Sequence, residues 1–118
     1  MLKVLLAEDD DTMVSLLKTL LGMEGFQVAT LMDQKGDPLE TIRREKPDVV
    51  LLDIYLGDRN GLELLRQIRL SPDLKKVRVL MTSGIDRTEE CLSAGADGFL
   101  LKPFMPEDLI HKLNAKKV

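Results

Sequence analysis

Apolar positions along the chain form two alternating patterns. Continuous apolar runs of strand length occupy residues 2–7, 26–31, 48–53, 77–81 and 98–101. Between these runs, apolar residues recur at helical spacing, as in the first such stretch, with Met13, Leu16, Leu17, Leu20 and Leu21. Five strands and five helices in strict alternation predict an α/β domain with a parallel sheet and right-handed crossovers. Continuous apolar strands further indicate helices on both faces of that sheet.

Polar residues and prolines mark the expected starts and ends of the first three helices. Asp11 is expected to cap the first helix. Pro38 is suited to the first turn of the second helix, and Pro47 prevents that helix from continuing. Asn60-Gly61 predicts a turn before the third helix.

The fourth helix is expected to be short. Residues 87–94 predict a fourth helix, and Pro106 is suited to the first turn of the fifth. Three lysines suit the negative end of that last helix, namely Lys112, Lys116 and Lys117.

Length and composition exclude several classes of protein. The 118 residues predict one domain, residues 1–118, with no linker-like stretch. A net charge of -3, scattered basic residues and 3% aromatic residues disfavour direct binding to nucleic acid. The first apolar run is broken at Glu8, so neither a signal peptide nor a membrane span is expected, and a cytoplasmic location is predicted. The single cysteine, Cys91, predicts a buried structural thiol.

Charged residues follow three of the predicted strands. Glu8 and Asp9 follow the first, Asp53 ends the third, and Lys102 follows the fifth. The carboxyl ends of parallel strands meet at one edge of a sheet, where ligands bind in this class of fold. The sequence therefore predicts an acidic pocket that contains one lysine.

Three carboxylates brought together must share protons or be neutralised by a cation. Mg²⁺ is the natural partner, because it prefers oxygen ligands and commonly joins carboxylates to a phosphate. Asp53 is then a candidate nucleophile for phosphoryl transfer, with Thr82 and Lys102 as groups that contact the phosphate. The alternatives are an acidic loop over residues 8–11 that caps the next helix, a turn-capping Thr82, and a surface ion pair at Lys102. The Lys102-Pro103 bond is a candidate for the cis form.

The chain resembles the receiver domain of two-component response regulators. The resemblance lies in the motifs LLAEDD, PDVVLLD, NGLELL, LMTSG and AGADGFLLKPF, which begin at residues 5, 47, 60, 80 and 94. It implies a flavodoxin-like (βα)5 three-layer sandwich with a five-stranded parallel sheet in the order 2-1-3-4-5.

The resemblance also implies a phosphoacceptor at Asp53. The donor is a histidine kinase or a histidine phosphotransfer protein, and Mg²⁺ is held by Glu8, Asp9, Asp53 and the backbone carbonyl of Tyr55. Thr82 and Lys102 would hold the phosphoryl oxygens. The partner that responds is a downstream protein target or a fused output domain outside this chain, and the domain is a switch and not a turnover enzyme.

Thr82 and Phe99 are the switch residues that the resemblance implies. Phosphorylation of Asp53 would draw Thr82 towards the phosphate, and Phe99 would fill the space that opens. An aromatic residue on a short edge strand also commonly packs on a neighbouring helix. Phe99 is expected to have both the switch role and this packing role. The face near the last strand and helices would change shape.

Two departures from the family pattern alter the local expectations. Gly57 stands where the family often has proline, which predicts a more flexible loop after the acceptor. The segment between Thr82 and Gly95 is shorter than usual, which puts the fourth helix in doubt.

Three other functions fit parts of the pattern. A haloacid-dehalogenase-type phosphatase needs an aspartate two residues after the nucleophile, where this chain has Tyr55. A flavodoxin-like flavin carrier needs a phosphate-binding loop after the first strand, and the acids at 8–11 would repel that phosphate. A degenerate receiver that serves only as a protein-interaction module remains the main alternative, although the acceptor, acid pair, hydroxyl and lysine are all present.

Overall fold

The computed structural model describes residues 2–115, and Lys116 and Lys117 therefore lie outside the described part. The parallel sheet contains β1 (Lys3–Ala7), β2 (Gln27–Thr30), β3 (Val49–Asp53), β6 (Arg78–Ser83) and β7 (Gly98–Leu101). A separate hairpin contains β4 (Tyr55–Leu56) and β5 (Arg59–Asn60). The helices are α1 (Asp11–Met23), α2 (Pro38–Glu45), α3 (Gly61–Leu70), α4 (Thr88–Ser93) and α5 (Pro106–Asn114).

The strands of the sheet lie in the order β2-β1-β3-β6-β7, and all neighbouring pairs are parallel. This order is the 2-1-3-4-5 arrangement that was predicted, once the two hairpin strands are left out of the count. The order reverses next to β1, so β1 and β3 flank the position at which such sheets bind ligands.

The two faces of the sheet carry separate apolar cores. Leu5 and Leu6 of β1 are both fully buried, but Leu5 packs in the core that includes Ile68 of α3, and Leu6 packs with Leu113 of α5. Neighbouring residues of a strand point to opposite faces, so a sheet with helices on both sides buries nearly every residue of its inner strands. Cys91 is also fully buried in the first core, as predicted. The three-layer sandwich is confirmed.

The start of α1 differs by one residue from the sequence prediction. The capping residue is Asp10, whose Oδ1 accepts hydrogen bonds from the backbone N–H groups of Thr12 and Met13 at 3.0 and 3.2 Å. Asp10 has an extended backbone, whereas Asp11 is the first residue of the helix. The prediction that Asp11 is the cap is therefore wrong. The Asp11 carboxylate lies in the first turn of α1, where its negative charge interacts favourably with the positive end of the helix dipole.

The loop after β3 is an ordered hairpin, which was not predicted. Tyr55 pairs with Asn60, and Leu56 pairs with Arg59, so only Gly57 and Asp58 form the turn. Gly57 has φ +61°, and glycine is favoured at the first turn position of this kind of two-residue hairpin. The chain is paired on both sides of the turn, and the more flexible loop at Gly57 stays a prediction.

Helix α4, which the family pattern put in doubt, is present. It has only six residues and no side-chain cap at its start.

The end of α5 contacts the first residue of β6. Arg78 of β6 donates hydrogen bonds to the backbone carbonyls of Leu113 and Lys112 at 2.9 and 2.8 Å. Arginine is well suited to the unpaired carbonyls of a helix end. This contact fixes the end of α5 to the first residue of β6.

Candidate functional site

The acids predicted to meet at the sheet edge do so. Glu8, Asp9 and Asp53 each have a carboxylate oxygen within 4.8 Å of the other two. The parallel register that pairs Ala7 with Leu52 places the residues after Ala7 beside the end of β3. Glu8 and Asp53 are each 6% exposed, and Asp9 is exposed to solvent. The pocket thus has two buried carboxylates and one at its rim.

Lys102 lies between the two buried carboxylates. Its Nζ donates to Oε1 of Glu8 and to Oδ2 of Asp53, each at 2.5 Å. The lysine follows β7, and its own backbone N–H donates to the carbonyl of Ser83 at 2.8 Å. The Lys102-Pro103 peptide bond is cis. The predicted lysine of the pocket is therefore in direct contact with Asp53.

Burial and ion pairing act in opposite directions on these groups. Burial raises the pKa of Glu8 above its ordinary value, and the hydrogen bond from Lys102 offsets only part of this effect. Burial on its own would lower the pKa of Lys102, but the hydrogen bonds to Asp53 and Glu8 together outweigh it and raise that pKa. The lysine is therefore held in its charged form. A cation in this position stabilises negative charge on Asp53 or on a group attached to it.

Thr82 lies directly beside Asp53. It is paired with Asp53 in the register of β3 and β6 and is 3% exposed. Its backbone carbonyl accepts a hydrogen bond from the N–H of Ile54 at 3.0 Å. Phe99 of β7 is paired with Met81 and is half-buried against the first apolar core. The two predicted switch residues thus lie on neighbouring strands.

Tyr55 presents its backbone to Asp53. Its N–H donates to Oδ1 of Asp53 at 3.1 Å. The N–H of Gly61 donates to the carbonyl of Ile54 at 2.6 Å, so Tyr55 and Asn60 form the pair of the hairpin that exchanges no hydrogen bonds. The Tyr55 carbonyl is consequently not used by the hairpin ladder, and its role as a metal ligand stays a prediction.

Gly61, the first residue of α3, packs on the backbone of Asp53. A Cβ atom at this position would lie 2.1 Å from the carbonyl oxygen of Asp53 and 2.9 Å from Cα of Ile54. No side chain fits there without movement of one of the two backbones. The turn predicted at Asn60-Gly61 is the start of α3, where Asn60 caps the helix by accepting hydrogen bonds from the N–H groups of Leu62 and Glu63.

Sequence reasoning missed two contacts of this region. The close approach of Gly61 to Asp53 depends on tertiary packing, although the glycine itself was visible beside a helix start. A hydrogen bond from Arg87 to the hydroxyl of Tyr55 joins residues that are 32 positions apart, and no local pattern indicates it.

The fold and the site together define the class of protein. The sequence profile of the response regulator receiver domain matches residues 4–114. The chain therefore belongs to the response regulator receiver domain family. Receiver domains are phosphoacceptor signalling modules of two-component systems and not turnover enzymes, which agrees with the predicted class.

Two relatives that are similar in sequence are a DNA-binding response regulator and a transcriptional regulatory protein. The DNA-binding response regulator MtrA of Mycobacterium tuberculosis is 31% identical over 116 residues, which are 97% of this chain and 50% of that protein. The phosphate regulon transcriptional regulatory protein PhoB of Rhizobium meliloti is 32% identical over 117 residues, covering 96% of this chain and 51% of PhoB. The chain spans about half the length of these relatives.

Solved structures agree with the fold over nearly the whole chain. The BeF3-activated N-terminal receiver domain of Klebsiella pneumoniae RstA has a TM-score of 0.80 and 30% identity, and the match covers 94% of each chain. The receiver domain of sensor histidine kinase PA1611 from Pseudomonas aeruginosa has a TM-score of 0.77 and 25% identity, and the match covers 95% of this chain and 93% of that one. That structure has a magnesium ion coordinated in its active site cleft.

None of the helices within residues 2–115 combines the length and the apolar character that a membrane span needs.

Proposed function

We propose that this chain is the phosphoacceptor switch of a two-component phosphorelay, with Asp53 as the acceptor. The observation that carries the proposal is the position of Asp53 at the sheet edge, where its carboxylate contacts Lys102 at 2.5 Å and lies among the acids Glu8 and Asp9. The phosphodonor is a histidine kinase or a histidine phosphotransfer protein, the partners of the receiver family.

The transfer forms one bond and breaks another. A carboxylate oxygen of Asp53 attacks the phosphorus atom of the donor phosphohistidine, and the P–N bond breaks as its electrons return to the imidazole nitrogen. The products are an aspartyl phosphate and an imidazole whose released nitrogen takes up a proton from water, which leaves the donor histidine neutral. Tyr55 donates its N–H to Oδ1 of Asp53 and Lys102 donates to Oδ2, so both oxygens are oriented before the donor arrives.

The donor set of the pocket fits Mg²⁺. Carboxylate oxygens and one backbone carbonyl are the ligands that this ion prefers. The residues that would hold it are Glu8, Asp9, Asp53 and the Tyr55 carbonyl. Both oxygens of Glu8 already accept hydrogen bonds, from Lys102 and from the N–H of Asp10, so the exposed Asp9 is the better suited of the two acids for direct contact. The ion supplies positive charge that offsets the negative charge of the phosphoryl oxygens.

Lys102 and Thr82 are the groups that would hold the transferred phosphoryl group. The Lys102 ammonium is already at Asp53 and can neutralise one phosphoryl oxygen. Thr82 is the strand partner of Asp53 and can donate its hydroxyl to another. Movement of Thr82 towards the phosphate opens space that the half-buried Phe99 can fill. The face formed by α4, β7 and α5 then changes shape for a downstream target or an output domain outside this chain.

Incubation with acetyl phosphate and Mg²⁺, followed by intact-mass measurement, tests the acceptor. The wild-type protein is expected to gain one phosphoryl group, and Asp53→Asn is expected to gain none. Asp73→Asn is the matched control, because it removes the same charge from an exposed loop aspartate that pairs with Arg43. An unmodified wild type, or a gain that persists in Asp53→Asn, would refute the proposal and leave the interaction-module alternative.

The metal assignment is tested separately. Asp9→Asn is expected to weaken Mg²⁺ binding, measured from the backbone amide chemical shifts of residues around the pocket. Unchanged binding in Asp9→Asn would reject the assignment of Asp9 without affecting the assignment of Asp53.

A further inference from the structure

The side chain of Tyr55 connects the acceptor loop to the start of α4. Tyr55 is 54% exposed, and its hydroxyl accepts a hydrogen bond from Nη1 of Arg87 at 2.9 Å. Arg87 is the residue immediately before α4, and the start of this helix has no side-chain cap. One hydrogen bond therefore joins the loop after Asp53 to the residue before this six-residue helix, and at the same helix start Asp86 accepts a hydrogen bond from the N–H of Thr88 at 3.1 Å.

Glu90 holds the guanidinium of Arg87 in place. Nε of Arg87 donates to Oε2 of Glu90 at 2.8 Å, and Nη2 donates to Oε1 at 2.6 Å. This two-point contact fixes both the position and the plane of the guanidinium. It uses Nε and Nη2 and leaves Nη1 directed at the Tyr55 hydroxyl. The contact with Tyr55 thus starts from a donor that is already oriented.

The backbone of Tyr55 acts on the acceptor. Its N–H donates to Oδ1 of Asp53, and its carbonyl is left unused by the hairpin ladder. A shift of the Tyr55 side chain that moves its backbone therefore changes the groups presented to Asp53 and to a metal ion. A shift at the start of α4 reaches the same groups through Arg87.

We propose that Arg87 is a positioning residue, which acts through the Tyr55 side chain on Asp53 and couples the start of α4 to the phosphoacceptor. The proposal rests on the proposed function of Asp53 and adds the contact through which α4 and the acceptor affect each other. Arg87 itself touches neither the acceptor nor the predicted metal ligands other than Tyr55. A single hydrogen bond at an exposed position is expected to change rates and affinities about two- to tenfold.

A double-mutant cycle tests the coupling. The proteins are the wild type, Tyr55→Phe, Arg87→Ala and the double variant, and the measured quantities are the rate of phosphorylation by acetyl phosphate and the affinity for Mg²⁺ from amide chemical shifts. Tyr55→Phe is expected to lower both by about two- to tenfold in the wild-type background and to have no effect once Arg87 is alanine. The effect of the lost arginine charge cancels when Arg87→Ala is compared with the double variant, because both proteins have alanine at position 87.

Two further variants separate positioning from general effects. Arg87→Lys keeps a positively charged hydrogen-bond donor but lacks the planar guanidinium. Its phosphorylation rate and Mg²⁺ affinity are expected to lie between those of the wild type and Arg87→Ala. Arg66→Ala is the matched control, because it removes an arginine from an i,i+3 pair with Glu63 on α3 and is expected to change neither quantity. Tyr55 is the only tyrosine in a chain without tryptophan, so its fluorescence is expected to change in Arg87→Ala and to stay unchanged in Arg66→Ala.

Equal effects of Tyr55→Phe in both backgrounds would overturn the proposal, as would no effect of Tyr55→Phe in the wild-type background. Failure of the proposed function is a distinct result, since it shows as the absence of any phosphoryl group on wild-type Asp53. In that case the Mg²⁺ affinities of the same four proteins still decide whether Arg87 acts through Tyr55.

Discussion

Lys102 places one ammonium group between two buried carboxylates. The same two carboxylates, of Glu8 and Asp53, belong to the proposed magnesium site. Lysine and metal ion therefore compete for the same negative charge. A lysine that binds both acids lowers the repulsion between them in the absence of metal, and it reduces the attraction of the pocket for a second cation.

Lys102→Met is expected to bind Mg²⁺ more tightly and to be phosphorylated more slowly. Loss of the competing charge should increase Mg²⁺ affinity roughly tenfold, which corresponds to about 1.4 kcal/mol. The rate of phosphorylation by acetyl phosphate should fall, because the phosphoryl oxygens lose a cation. Amide chemical shifts and intact mass measure the two effects. Lys76→Met, at an exposed lysine, is the control, and weaker Mg²⁺ binding in Lys102→Met would contradict the competition.

Gly61→Ala is expected to lower the free energy of unfolding by about 1–3 kcal/mol, because its Cβ would overlap the backbone of Asp53. Gly22→Ala is the matched control: Gly22 is helical, with nothing within 4 Å of the added Cβ, so the same substitution should stabilise by roughly 0.5–1 kcal/mol. Urea unfolding measures both. Equal changes in the two variants would show that the contact between Gly61 and Asp53 has no energetic consequence.

Residue types at strand ends were enough to predict Asp53, Glu8 and Lys102 as neighbours, because the sheet brings strand ends together. The residue types alone could not decide whether Asp10 or Asp11 caps α1. Both residues can cap a helix, and the backbone dihedral angles decide which one does.

At the level of elements, the strands of the sheet and the helices were predictable, and the hairpin of β4 and β5 was not. The five long strands are apolar and the helices periodic, so their patterns are strong. Each hairpin strand has two residues, which is too short for a pattern, and its pairing depends on Gly57 at positive φ. The residues of α4 predicted this short helix, although the short segment between Thr82 and Gly95, set against the family pattern, put it in doubt.

An ion pair connects the first strand to the second helix. Nζ of Lys3 lies 2.9 Å from Oε1 of Glu45, and Nε2 of Gln34 donates to Oε2 of Glu45 at 3.1 Å. The hydrogen bond from Lys3, followed by that from Gln34, lowers the pKa of Glu45 below its ordinary value. A carboxyl group with a lowered pKa stabilises the fold above its ordinary pKa and loses this effect as the pH falls through the folded pKa.

Glu45→Gln is therefore expected to destabilise the protein near neutral pH and to have a smaller effect in acid. The expected loss at about pH 7 is roughly 0.5–1 kcal/mol, and it should shrink as the pH falls below about 4. Urea unfolding at several pH values measures the difference between variant and wild type. Glu63→Gln, in the looser ion pair with Arg66 on α3, is the comparison. A difference for Glu45→Gln that is constant with pH would argue against the ion pair as its cause.

The molecule as a whole assembles the site from four of its five sheet strands or the residues after them. Glu8 and Asp9 follow β1, Asp53 ends β3, Thr82 belongs to β6, and Lys102 follows β7. These positions are far apart in the sequence and meet only in the folded sheet. A ligand that binds this site therefore binds the folded state alone, and its affinity adds to the stability of the whole domain.

Mg²⁺ is expected to raise the free energy of unfolding by about 2.7 kcal/mol when its concentration is a hundredfold above its Kd. Thermal unfolding with and without MgCl₂, compared with NaCl at equal ionic strength, measures the effect. Asp9→Asn should lose most of the Mg²⁺-dependent increase and keep the stability of the metal-free protein, since Asp9 is exposed. The same increase in Asp9→Asn as in the wild type would place the stabilising ion elsewhere.

The order of the sheet was predicted from the family resemblance, and the alternation of elements alone would have left several orders open. The partners of the whole protein are a different matter, because they depend on surfaces that no apolar pattern encodes. The chain spans about half the length of MtrA and PhoB.

Strand β6 has the acceptor's neighbour Thr82 near one end and Arg78 at the other, where Arg78 binds the last carbonyls of α5. The end of α5 and the acidic pocket consequently lie at opposite edges of the sheet. A protein immobilised on a sensor surface through the end of α5 would present the pocket to solution, open to a large phosphodonor. Attachment at the start of α1, which follows the acidic pair, would obstruct the same approach.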